Sequence, residues 1–315
     1  MSNSSPAFLC PGQASQSVGM GADLYESSSI ARELYDLADN ALGWSVSKTS
    51  FEGPAEELNR TEHTQPALFV HSVVCGALLK EHGVQPTVAA GHSLGEYSAL
   101  ALAGVFTFEE GLTAVAERGR LMAQAGASSP GAMAAVLGVD DDQVTGVCRD
   151  ITGEGHIVVA ANFNSPGQVV ISGSIDGVKA AAVALADIGA KRVVPLPVSG
   201  AFHSPLMQPV QELFAAFLAE IPMADAQIPV ISNVTAEPVQ DSGEIRSLLI
   251  AQLTLPISWT ASMARLGGMA PTSVLEVGPK NVLQGLMKRI NRDIKVQLAG
   301  TVAAIKSVST QGGRP

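Results

Sequence analysis

The chain has 315 residues, 46% of them hydrophobic and 15% charged, the composition of a globular protein long enough for one large domain with an insertion or for two unequal lobes. Its net charge of −10 argues against nucleic acid as a partner, and no run of about 18 uninterrupted apolar residues suggests a membrane span. Cys10, Cys75 and Cys148 show no paired spacing, and the histidines include no HxH or HxxxH pair, so neither a disulfide framework nor a metal centre is expected.

The first residues, Met1 to Pro6, lack the charged and apolar regions of a signal peptide, which makes the cytoplasm the expected location. Phe8-Leu9-Cys10 reads as a short buried strand ended by Pro11-Gly12, and a loop follows to Gly21. Residues 27–42 and 65–81 carry the apolar spacing of helices. Thr87 to Ala90 is a second apolar run that stops at Gly91, and Leu94 to Leu102 reads as a buried helix.

Composition changes near residue 127, at the linker-like Ser128-Ser129-Pro130-Gly131. Beyond it come an apolar run (132–137), a helix (140–150), strands near 157–159 and 168–172, a helix (175–188) and a strand (191–198). The order β-α-β-β-α-β is that of a ferredoxin-like unit. The fold expected is therefore α/β: a large α/β-hydrolase-like lobe with a parallel sheet over 1–128 and 199–300, and an inserted ferredoxin-like lobe over 129–198. Later strands are expected near 230–232 and 273–277, and a mobile tail over 301–315.

Gly91-His92-Ser93-Leu94-Gly95 matches a nucleophile elbow, in which a serine sits on a sharp strand-to-helix turn. The backbone N–H of Leu94 would help hold an oxyanion there. A serine used as a helix N-cap between glycine turns is the plain alternative. A serine nucleophile needs a base. His203, in a loop after a predicted strand, is the best-placed candidate, and His92 beside the serine is given a supporting role. The stretch from Lys280 to Lys295 contains Lys280, Lys288, Arg289 and Arg292 against one acid, Asp293. It is either a solvated helix face or a docking face for an acidic partner.

Seven segments in order carry a resemblance: Phe8 to Gln16, Thr64-Gln65-Pro66-Ala67-Leu68, Gly91 to Leu100, Glu117-Arg118-Gly119-Arg120-Leu121-Met122, Asn162 to Gln168, the segment around His203, and Glu276-Val277-Gly278-Pro279. Together they resemble the malonyl-CoA:acyl carrier protein transacylase family of fatty-acid synthesis, which includes the acyltransferase domains of polyketide synthases. The resemblance implies a ping-pong cycle between malonyl-CoA and the phosphopantetheine thiol of an acidic acyl carrier protein, with no tightly bound cofactor and no metal, in a monomer. It implies Ser93 as nucleophile, His203 as base, and a backbone carbonyl near Gln252 in place of an acid behind the histidine. It also implies oxyanion donors at the Gln13 and Leu94 amides, Asn162 as a minor contributor, and Arg118 as the clamp for the malonyl carboxylate. Phe202 would crowd the extra methyl of methylmalonate, and the basic stretch would dock the carrier.

Two departures from the family pattern are visible: Ala14 stands where a glycine is usual, and Lys280-Asn281 replaces Gly-Lys. Rival readings are a serine hydrolase or thioesterase, a polyketide-pathway acyltransferase, and a non-catalytic carrier-binding module.

Overall fold

The computed structural model describes residues 6–128, 130–198 and 200–312. Ten strands form among these residues: β1 (Pro6–Cys10), β2 (Val88–Gly91), β3 (Gly131–Leu137), β4 (Val158–Ser165), β5 (Gln168–Ser174), β6 (Arg192–Pro195), β7 (Val230–Ile231), β8 (Pro238–Val239), β9 (Ser273–Glu276) and β10 (Val296–Leu298). They make two sheets. The larger runs β10-β9-β1-β2-β7-β8, parallel except for the antiparallel edge strand β8.

Every residue of β1 and β2 is buried, as expected of central strands covered on both faces. Their side chains alternate between two cores. Phe8, Cys10 and Ala89 join the larger one, which takes in Leu68, Phe69, Leu112 and Val115 from the helices Thr61–Glu81 and Phe108–Ser128. Ala7, Leu9, Val88 and Ala90 join the other, with Trp259, Met263, Leu283 and Met287 from the helices Trp259–Gly268 and Val282–Ile290. The sheet is thus sandwiched, and the carboxyl ends of β1 and β2 open toward one edge where loops gather.

The second sheet is antiparallel, ordered β4-β5-β3-β6. This is the ferredoxin-like arrangement expected from the element order. Its helices Asp141–Gly153 and Ile175–Asp187 pack Val144, Cys148, Val178 and Leu185 onto one face as a third core. Strand β4 ties the two sheets' regions together: Ile257 donates its N–H to Ala161 O at 2.8 Å and accepts from Phe163 N at 2.9 Å.

The structure departs from several of the expected elements. The helix expected over 27–42 runs Ser29–Leu42, preceded by a separate short helix, Ala22–Ser27; the break falls at Ser28, whose extended backbone lets its hydroxyl cap Ala31 N. The helix expected from 65 begins at Thr61. The segment expected as a mobile tail is helical over Val302–Gly312 and anchored by the buried Ile305 and by Val302 N donating to the Asp23 carboxylate at 2.8 Å. Residues 313–315 of that segment lie outside the described residues.

Candidate active site

The site is built around the turn from β2 into the helix Gly95–Leu102. Ser93 takes a left-handed backbone, φ 52°, a strained conformation for a side chain and the hallmark of an elbow. Two glycines make the turn possible. A Cβ on Gly95 would lie 2.0 Å from the Cys10 carbonyl oxygen, and one on Gly91 would lie 1.9 Å from the Gly95 carbonyl. The helix behind Ser93 is buried nearly all round, residues 95–100 included, which anchors the serine on a rigid element.

His203 also holds a left-handed backbone, φ 58°, and reaches Ser93 from the opposite side. Its Nε2 lies 2.8 Å from Ser93 Oγ, and its Nδ1 lies 2.7 Å from the Gln252 carbonyl oxygen. A carbonyl can only accept, so Nδ1 carries the proton and Nε2 presents its lone pair to the serine hydroxyl. Burial, aided by the positive charge of Arg118, pulls the His203 pKa down to about 3. The imidazole is therefore neutral at neutral pH, with a lone pair able to accept a proton.

Arg118 is 1% exposed. Its Nη1 donates to Gln65 Oε1 at 2.7 Å, and its Nη2 donates to Gln252 Oε1 at 2.9 Å and to Ser93 Oγ at 3.2 Å. Its Nε is buried without an acceptor, and Cζ stands 5.5 Å from the centre of the Tyr97 ring. Ser93 Oγ can accept from Arg118 while donating to His203. The arrangement joins a serine hydroxyl, a neutral imidazole and a fixed cation in one hydrogen-bonded unit.

The Gln13 and Leu94 amides make no hydrogen bond among the described residues. Gln13 is held by its side chain, which donates to Thr61 Oγ1 at 3.4 Å. The neighbouring Ala14 adopts φ 83°, a left-handed backbone that favours glycine and strains an alanine.

His92 Nε2 lies 2.7 Å from Asn164 Oδ1, with the His92 ring 5.4 Å from Trp259. The asparagine touching this histidine is thus Asn164; Asn162 sits on β4 in a parallel bridge to Ile257. Phe202 is packed in the larger core. The basic residues do not form one cluster of contacts. Lys280 Nζ donates to the Ala14 carbonyl at 3.4 Å, Lys288 to Gln284 Oε1 at 3.4 Å, and Arg289 to Gln168 Oε1 at 2.7 Å, while Arg292 is exposed.

Four further residues, none of them predicted from the sequence, hold the site together. Gln65 supplies one of the two amides that hold Arg118. Asn233 Oδ1 accepts from Ser93 N at 2.7 Å and its Nδ2 donates to Gly91 O at 2.6 Å, tying down both sides of the elbow. Glu96, three residues after the serine, accepts from Gln252 Nε2 at 2.5 Å and Asn233 N at 3.2 Å. Glu276 accepts from the Leu283 and Gln284 amides at 2.9 and 2.8 Å, capping the helix that carries Lys288 and Arg289. The available signals were a polar residue just past a strand end (Asn233) and acids inside apolar stretches (Glu96, Glu276).

The chain matches the family model described as acyl transferase domain over residues 7–307. It is 45% identical to the malonyl CoA-acyl carrier protein transacylase of Bacillus subtilis (strain 168), covering 92% of this chain and 91% of that protein. It is 44% identical to the transacylase of the same name from Synechocystis sp., over 96% of this chain and 99% of that one. Among solved structures it resembles an acyl carrier protein S-malonyltransferase from Vibrio cholerae, with TM-score 0.93, 41% identity and coverage of 97% and 100%. It also resembles a malonyl-transacylase solved in complex with its type II PKS acyl-carrier protein, with TM-score 0.94, 38% identity and coverage of 98% and 100%. The chain belongs to the acyl transferase domain family, among relatives that are malonyl CoA-acyl carrier protein transacylases.

Proposed function

We propose that this protein transfers the malonyl group of malonyl-CoA to the phosphopantetheine thiol of an acyl carrier protein through a malonyl ester on Ser93. The observation that carries the reading is the 3.2 Å contact between Arg118 Nη2 and Ser93 Oγ. A guanidinium beside the nucleophile suits an acyl group that ends in a carboxylate, and the unpaired Nε offers a further donor to it.

In the first half-reaction the malonyl carboxylate docks on Arg118. His203 Nε2 takes the Ser93 proton as Oγ attacks the thioester carbonyl, and the Gln13 and Leu94 amides hold the oxyanion. Collapse expels the coenzyme A thiolate, which takes the proton from His203. In the second half the carrier thiol gives its proton to His203 and attacks the malonyl ester, and Ser93 Oγ leaves with that proton. His92, paired with Asn164, buttresses the turn, and Asn162 shapes the neighbouring wall. Phe202 disfavours methylmalonate, an effect of roughly 1–3 kcal/mol for one methyl.

The carrier docks through Lys280, Lys288, Arg289 and Arg292, whose charge suits an acidic partner. The same reading divides the chain into a catalytic lobe (1–128 and 199–300) and an inserted lobe (129–198), acting as a monomer in the cytoplasm and serving fatty-acid synthesis. Three free, buried cysteines fit a reducing compartment. A hydrolase of the triad type would put a carboxylate on His203 Nδ1; here that atom meets the Gln252 carbonyl. Malonyl transfer to a carrier thiol, measured beside malonyl-CoA hydrolysis, tests the reading: transfer should dominate, and dominant hydrolysis would refute it.

A further inference from the structure

Glu96 is a carboxylate buried in the site's hydrogen-bond network that the transfer cycle leaves without a task. It is 3% exposed, lies on the first turn of the helix behind Ser93, and makes its shortest contact with Gln252 Nε2, at 2.5 Å. Gln252 is where the two functions of the site meet. Its backbone carbonyl orients His203, its Oε1 accepts from Arg118, and its Nε2 also faces the Ser93 carbonyl oxygen at 3.1 Å.

An amide is nearly symmetric in shape, so sterics alone do not decide which end faces which neighbour. Chemistry decides it here. The guanidinium can only donate and an ionised carboxylate can only accept, so Oε1 must face Arg118 while Nε2 faces Glu96. A flipped amide would set NH2 against guanidinium and oxygen against carboxylate, leaving buried polar groups opposed. The Ser93 carbonyl at 3.1 Å and Asn233 Oδ1 at 3.4 Å favour the same orientation through longer contacts and without charge.

We propose that Glu96 is a positioning residue for acyl selection: through the Gln252 amide it presets Arg118 for an acyl group bearing a carboxylate, and so favours malonyl over acetyl. This rests on the malonyl-transfer reading. Among the charged and titratable neighbours, Arg118 favours the ionised form of Glu96. Arg118 remains cationic, burial holds Tyr97 protonated, burial keeps His92 neutral, and His203 titrates near 3. Glu96 itself is pushed up by burial to about 7, against the opposing pull of Gln252, Asn233 and Arg118. It is the member of this group that changes charge near neutrality.

The test compares kcat/KM for malonyl-CoA and acetyl-CoA across pH in the wild-type enzyme and in Glu96→Gln. The ratio of the two cancels what the shared coenzyme contributes. In the wild type the malonyl-to-acetyl ratio should fall as pH drops through about 7. In Glu96→Gln it should be lower by about tenfold, the scale of one charge-assisted hydrogen bond, and flat with pH. An equal loss on both substrates would mark a purely structural role and overturn the assignment. So would an unchanged ratio in the variant, or a wild-type ratio flat with pH. If the variant does not fold, the wild-type pH series still decides. Absence of any malonyl transfer by the wild type would instead overturn the functional reading, and this assignment with it.

Discussion

Arg118 Nη2 donates to Ser93 Oγ at 3.2 Å, so a buried cation and the serine hydroxyl are in direct contact. The guanidinium is buried, and its approach to the serine is set by two amides, Gln65 and Gln252, rather than by an ion pair. Neutral partners orient the arginine, and its charge is not spent on a direct ion pair.

That relationship makes Arg118→Ala informative. Malonyl transfer should fall by roughly 100-fold or more, the scale of losing a buried charge-assisted contact, and acetyl transfer should fall less. Steady-state kinetics with both thioesters check this. A variant that still prefers malonyl would place the carboxylate elsewhere.

The pH dependence of the base follows from its burial. His203 is held at about 3, below the ordinary value of 6.5, so the form that accepts a proton persists well into acid. Labelling of Ser93 by a neutral organophosphonate should therefore keep its rate from about pH 8 to about pH 5, without the inflection near 6.5 that an unperturbed histidine would give. Stopped assays over that range read it directly.

Gly95 has no room for a side chain, since a Cβ there would meet the Cys10 carbonyl oxygen at 2.0 Å. Gly95→Ala should displace β1 from the elbow and cost about 1–3 kcal/mol or more of stability. Chemical denaturation would register the loss, and malonyl labelling of Ser93 should fall with it.

Carrier docking is tested by reversing charge at Lys288 and Arg289. The KM for carrier should rise severalfold at low salt while the KM for malonyl-CoA changes little. Because Arg289 also contacts Gln168 at the start of β5, Lys288→Glu alone separates docking from that internal contact. An unchanged carrier KM would identify the stretch as a solvated face.

Much of this architecture was legible in the sequence because local signals were strong. Alternating strand and helix patterns over 132–198 gave the ferredoxin-like order, and an apolar run ending in Gly-His-Ser-Leu-Gly marked the elbow. Short edge strands such as β10, with three residues, carry too little pattern to stand out. The site was less legible where long-range contacts build it. Ser93 and Asn233 are 140 residues apart, and Arg118 and Gln252 are 134; no local pattern links them. Glu96 is marked in the sequence only by the apolar stretch around it. An acid in the first turn of a helix is ordinary on a surface, and only the fold shows that this one is buried against Gln252.

The most direct test of the account is to incubate the protein with malonyl-CoA, locate the acyl group by peptide mass mapping, and then add a phosphopantetheine-bearing carrier. The account predicts malonyl on Ser93, lost to the carrier thiol when the carrier is added, and no label in Ser93→Ala. A label that persists in Ser93→Ala, or one released to water rather than to the carrier, would contradict it.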